Sequence, residues 1–155
     1  MTDDPLSIEH SVRIDAPPDR VWVFLTEPRF VAQWLGCMRY EKSVGHVFYM
    51  QQDADKRAND DIEGATHCEI LALEEPDQFK FSWYLPGTPA TEVEILLEAV
   101  EDQTEVTLKH TGWNQFDASA IRDIRDALAG GWKSFVLPGL RNLVVKTDNS
   151  SRARE

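Results

Sequence analysis

Residues 91–110 hold the tightest constraint on the fold. Val93, Ile95, Leu97 and Ala99 alternate with Glu92, Glu94 and Glu98. After Glu101-Asp102-Gln103, Val106, Leu108 and His110 alternate with Glu105, Thr107 and Lys109. Period two, with one dry face and one wet face, is the pattern of an antiparallel hairpin lying on a core. Joining the two dry faces requires paired residue numbers with an odd sum, and one such register sets Glu94 opposite Lys109.

A dry face needs a cover, and residues 118–144 supply one. Ile121, Ile124, Leu128, Trp132, Phe135, Gly139 and Leu143 recur at three- and four-residue spacing, one helical stripe. Asp117 suits its N-cap. Gly130-Gly131 and Pro138 predict a bend within one long helix.

Upstream, Ile8, His10, Val12 and Ile14 alternate with polar residues as a first strand, which Pro17-Pro18 stops. A short helix then runs to about Leu25, burying Val21, Phe24 and Leu25. Pro28 opens a second, carrying Phe30, Val31, Trp34 and Leu35 and ending at Gly36. Arg39–Lys42, His46–Gln52, Thr66–Leu73 and Phe79–Leu85 read as further strands, and Asp53–Glu63 as a polar hairpin loop.

The sum is an α+β domain over 6–146 with a flexible tail over 147–155. Its curved antiparallel sheet of six or seven strands wraps a long C-terminal helix, with two short helices after strand 1. One helix about 10 Å wide cannot cover that many strands spaced about 4.8 Å apart. The sheet must curl, and the gap left between helix and sheet is the default pocket.

Charge and composition narrow the partners. Sixteen basic against 27 acidic residues give a net charge of −11, which disfavours nucleic acid and anionic membrane surfaces. Two cysteines make no disulfide framework. MTDDPLSIEH has neither a basic segment nor an apolar run, so no signal peptide is expected there. The apolar run Val21–Leu25 is far below the roughly 20 residues that span a bilayer. A cytoplasmic protein is the expectation.

Five strings in order resemble a known fold: IDAPPDRVWVFLTEP (Ile14–Pro28), Trp34-Leu35-Gly36, EILALEEPDQFKFSW (Glu69–Trp83), TEVTLKHTGW (Thr104–Trp113) and Gly131-Trp132. Over about 8–145 the chain resembles the helix-grip fold of the START-like (SRPBCC) superfamily, which includes the birch-pollen allergen and the polyketide cyclases. Within it, the chain is most similar to the family of the C-terminal domain of the activator of heat-shock protein 90 ATPase. It departs from that pattern at Leu35, where an aromatic is common, and at Pro138. The resemblance implies that the first and last strands are neighbours. It does not imply one activity, because the superfamily hosts binders, transfer proteins, cyclases and hydratases.

Side chains able to do chemistry are few. His10 and His110 lie on the apolar parity of strands that the resemblance makes adjacent. They read either as polar anchors or an acid/base pair in one cavity, or as satisfied core imidazoles. His67 and Cys68 are consecutive in a strand and point to opposite faces, so they cannot share a metal. Asp53–Glu63 alternates oxygen donors like a calcium loop, but has Ala58 and Gly64 where glycine and glutamate are needed. Cys37 has no base at a fixed spacing and reads as a buried thiol. No phosphate loop or nucleophile elbow is present.

No catalytic residue, metal or cofactor is therefore expected. The expected function is to bind a small hydrophobic molecule in the helix–sheet cavity without catalysis. His10, Trp34, Phe81, Trp83, Ile95, His110, Trp132 and Phe135 are the ligand-contacting candidates. Two alternatives stay open. One is a co-chaperone-like interaction module, whose chaperone partner the family resemblance implies. The other is a cyclase- or hydratase-type enzyme using the cavity histidines.

Overall fold

The computed structural model describes residues 7–34, 37–51, 53–84, 90–113, 126, 130, 132 and 137–153. Seven strands form one curled antiparallel sheet: β1 (Ile8–Ile14), β2 (Cys37–Met38), β3 (Val47–Met50), β4 (Thr66–Glu74), β5 (Gln78–Trp83), β6 (Thr91–Val100) and β7 (Gln103–Thr111). Their order across the sheet is β1-β7-β6-β5-β4-β3-β2, so first and last strands are neighbours. The described helices are α1 (Pro18–Thr26), α2 (Pro28–Trp34), α3 (Ala54–Ala58) and α4 (Leu137–Ala153). This is the helix-grip arrangement. Among the described residues no helix is long and apolar enough to cross a membrane.

The β6–β7 hairpin has the expected register, with Glu94 opposite Lys109 and Ile95 opposite Leu108. Val93, Ile95, Val106 and Leu108 are wholly buried, while Glu92 and Glu98 are exposed. Ala99, at the strand's far end, is exposed despite its parity. The charges pair otherwise than the β6–β7 register suggests, Lys109 turning to its direct neighbour on β1. Lys109 Nζ reaches Glu9 on β1 at 3.7 Å, Glu94 accepts from Gln78, and Lys80 pairs with Glu92 at 3.2 Å. These pairs are half-exposed and each adds little to stability.

α1 begins on Pro18, where a missing N–H costs nothing, and buries Val21, Trp22, Phe24, Leu25 and Thr26. In α4 the buried residues are Leu137, Leu140 and Val144, whereas the predicted stripe members Gly139 and Leu143 are half-buried. The inward face lies about one position from the predicted stripe. The helix also continues to Ala153, past the last apolar stripe position. Asp117, Ile121, Ile124, Leu128, Gly131 and Phe135 lie outside the described residues.

Two expectations are corrected. The strand predicted over Arg39–Lys42 is instead the two-residue β2, because Arg39 takes a left-handed backbone (φ 58°) that ends the ladder. Its guanidinium is held by Asp60 Oδ1 at 3.1 Å. The predicted loop Asp53–Glu63 contains α3, capped by Asp53, whose carboxylate accepts the N–H groups of Asp55 and Lys56. None of its five residues is buried, so it is held by capping and not by packing. Asp61 likewise accepts its neighbour Glu63 N–H at 3.0 Å. These acids bind backbone, and no metal-holding cluster exists among the described residues.

Candidate functional site

The pleat brings three strands' inner residues to one end of the sheet. On β5, Phe79, Phe81 and Trp83 share the buried face. On β6, Thr91 continues the parity of Val93, Ile95 and Leu97. On β7, His110 stands opposite Val93 on one side and opposite Ile8 of β1 on the other. Gly112 then turns the chain at φ 101°, a conformation open to glycine, and delivers Trp113 beside His110.

The result is an aromatic cluster centred on His110. Ring centroids lie 4.6 Å away for Trp113, 5.4 Å for Trp83 and 6.2 Å for Trp132. His110 and Trp113 are fully buried, and Trp132 and Trp83 are 2% and 7% exposed.

Hydrogen bonds fix the tautomer of His110. Trp132 Nε1–H can only donate, and it meets His110 Nδ1 at 3.3 Å, so Nδ1 accepts. The proton therefore sits on Nε2 and is donated to Thr91 Oγ1 at 2.7 Å. Thr91 passes its own hydrogen to the Trp83 carbonyl at 2.7 Å. Every polar atom along this chain is satisfied by a neutral imidazole. Burial pushes the His110 pKa down to about 3. With both nitrogens committed and no exposure, the neutral imidazole has its hydrogen-bonding needs met within the core.

The Trp83 indole does not join this chain. Trp83 Nε1–H is buried and has no acceptor among the described residues. An unmade buried hydrogen bond costs about 1–3 kcal/mol, so such a group is rarely left without reason.

The other candidates are placed as follows. His10 is half-buried on the inner face, one inward step along β1 from His110 (His10 pairs Leu108, Ile8 pairs His110). Ile95 is buried between Phe79 and Leu108. Phe81 belongs to a second ring group with Phe79 at 5.3 Å and Phe48 at 5.5 Å. Trp34 is away from the cluster. Its Nε1–H donates to Phe24 O at 3.0 Å and ties α2 to α1. Beside it, a groove of about 220 Å³ between α2 and α4 is lined by Gln33, Trp34, Gly139, Asn142 and Leu143. Phe135 lies outside the described residues, as do most members of the predicted stripe. Trp83, His110 and Trp132 thus come together, and Trp34 does not join them.

Sequence reasoning missed Thr91 and Trp113. Thr91 was legible as a polar residue on an apolar parity, the same signal that marked His110. The thiols behave as expected of buried groups: burial pushes Cys37 up to about 12 and Cys68 well above the usual range. His67 lies on the outer face between Tyr49 and Tyr84, opposite to buried Cys68.

The family model described as "Activator of Hsp90 ATPase homolog 1-like protein" matches residues 15–144. Protein MLL2253 from Mesorhizobium loti superposes with a TM-score of 0.75 at 22% identity, covering 91% of this chain and 98% of that one. Protein BH1534 from Bacillus halodurans gives 0.70 at 25% identity, covering 93% and 99%. CalU16 from Micromonospora echinospora gives 0.66 at 25% identity, covering 89% and 73%. No curated protein matches the chain significantly.

Proposed function

We propose a function from the premise that the chain belongs to the activator of Hsp90 ATPase homolog 1-like family. It is a binding module that takes a small, mostly apolar molecule between the sheet and the C-terminal helix, and it performs no catalysis. The observation that carries this reading is the buried Trp83 indole N–H, which has no acceptor among the described residues and stands in a wall of aromatic rings. An apolar guest with one carbonyl or ether oxygen would satisfy that donor and bury its rings against Trp83 and Trp113. The commitment of both His110 nitrogens to Trp132 and Thr91 supports the reading without catalysis. His10, Phe81, Ile95 and Trp132 complete the proposed wall. Trp34 serves as the clamp beside the α2–α4 groove, through which the guest would enter.

The test is a tryptophan-fluorescence titration with 2-acetonaphthone and with 2-ethylnaphthalene, its counterpart without the oxygen. The ketone is expected to bind the tighter of the two. Trp83→Phe keeps the ring and removes the donor, and should weaken the ketone about tenfold while leaving the hydrocarbon unchanged. Failure of both probes to bind, together with native mass spectra showing no co-purified guest, would overturn the reading.

A second reading rests on its own observation. The outer face of β3–β4 and the turn before it expose Val44, Val47 and Leu71 beside the row Tyr49–His67–Tyr84. Such a patch outside the core suits an interaction module of the co-chaperone kind. Loss of binding to purified heat-shock protein 90 on Leu71→Glu, with ketone binding intact, would favour it.

A further inference from the structure

The corner between α1 and α2 holds a groove of about 620 Å³ that the proposed function does not use. Its floor and walls are Val23, Phe24, Phe30, Arg20 and Arg29, with Asp19 on the rim. Local sequence builds it. Arg20 and Phe24 are four apart on α1, so they share a face. Arg29 and Phe30 follow Pro28 in the first turn of α2. The four side chains follow one another in space, the two rings tilted at 40°. Arg20 Cζ lies 5.4 Å over the Phe24 ring, the Phe24 and Phe30 centroids are 4.3 Å apart, and Arg29 Cζ lies 4.6 Å over the Phe30 ring.

The charges around this ladder are unevenly committed. Arg13, Arg39, Lys42, Lys80 and Lys109 each pair with a carboxylate. Arg29 is exposed and has no carboxylate at ion-pair distance among the described residues, although acids outnumber bases 27 to 16. The two acids nearest in sequence are engaged elsewhere. Asp19 Oδ1 accepts the Arg20 backbone N–H at 3.0 Å, and Glu27 holds Lys42 Nζ at 3.2 Å. Arg20 holds contacts of its own and contributes positive potential.

A guanidinium held over a phenyl ring, beside a second phenyl and an aliphatic floor, fits one ligand chemistry. We propose that this groove is a second binding site, for a planar aromatic carboxylate. The rings of the ligand lie against Phe30 and Val23, with buried Phe24 behind Phe30. Its carboxylate accepts two parallel N–H bonds from the Arg29 guanidinium, a geometry lysine cannot match. The site is distinct from the sheet interior, whose unmatched group is a neutral donor.

Amide chemical-shift titration with 2-naphthoate, and with neutral 2-naphthamide, tests this at low and high salt. The expected result is shifts at Val23, Arg29 and Phe30, with the amide at least tenfold weaker and the affinity for naphthoate falling with salt. Arg29→Gln should weaken naphthoate about tenfold, Arg29→Lys less, and Arg141→Gln, an exposed arginine elsewhere, not at all. Trp83→Phe should leave this binding unchanged, which separates it from the interior site. Equal affinity for naphthoate and naphthamide, indifference to Arg29→Gln, or shifts confined to Val93 and His110 would each overturn the proposal.

Discussion

Acid should loosen this fold through a single buried ring. His110 is neutral in the native state, with its pKa pushed down to about 3 by burial, against about 6.5 in an unfolded chain. Between those values the unfolded state binds the extra proton and the native state does not, so stability falls as pH falls. The contribution is whole above pH 6.5 and declines through the window from 6.5 to 3. It changes by about 1.4 kcal/mol per unit across most of that range. From pH 7 to pH 4.5 the expected loss from His110 alone is about 2.5 kcal/mol. That is a large part of the roughly 5–15 kcal/mol a domain has. The geometry gives the reason: a second proton on Nδ1 would face the Trp132 N–H, donor against donor.

The assay is urea unfolding followed by tryptophan fluorescence at several pH values, on the native chain and on His110→Gln. Carboxylates also titrate in this range, so the quantity read is the difference between the two slopes. The variant should lose about 2.5 kcal/mol less than the native chain over the same interval. Imidazole nitrogen shifts should show His110 as the neutral Nε2–H tautomer down to pH 4.5. Parallel slopes, or an imidazolium signal for His110 above pH 5, would refute the argument.

Three further outcomes are expected. Trp34→Phe removes the N–H that holds the Phe24 carbonyl and should cost about 1–2 kcal/mol, seen as a lower Tm. Cys37 and Cys68 are both buried with raised pKa values, so a disulfide reagent at pH 8 should label neither in the native protein and both in urea. A Cβ on Gly139 would meet no heavy atom of the described residues within 4 Å. Gly139→Ala should therefore raise stability by about 0.5–1 kcal/mol, read by thermal unfolding.

How far the sequence could be read varies with the physics that holds each piece. The β6–β7 register was legible because alternation and burial demand the same pairing. The order of the sheet was legible from the family resemblance, since nothing local in Ile8–Ile14 says that β7 is its neighbour. α3 was not legible as a helix, because Ala54–Ala58 has no apolar stripe and depends on the Asp53 cap. β2 was misplaced because a left-handed Arg39 leaves no composition signal. At the candidate site, the inward parity of His110 was readable. Its neutrality was not, because that rests on Trp132 and Thr91, which are 22 residues later and 19 earlier in the chain.

The place of β1 in the sheet sets a timetable for the newborn chain. Ser11 and Thr107 touch across 96 positions, so the first strand made is among the last able to dock. On the ribosome, β1 must wait for β7 to clear the exit tunnel while its apolar edge stays uncovered. Assembly would begin with the short-range hairpins β4–β5 and β6–β7 and end when the opening segment zips on.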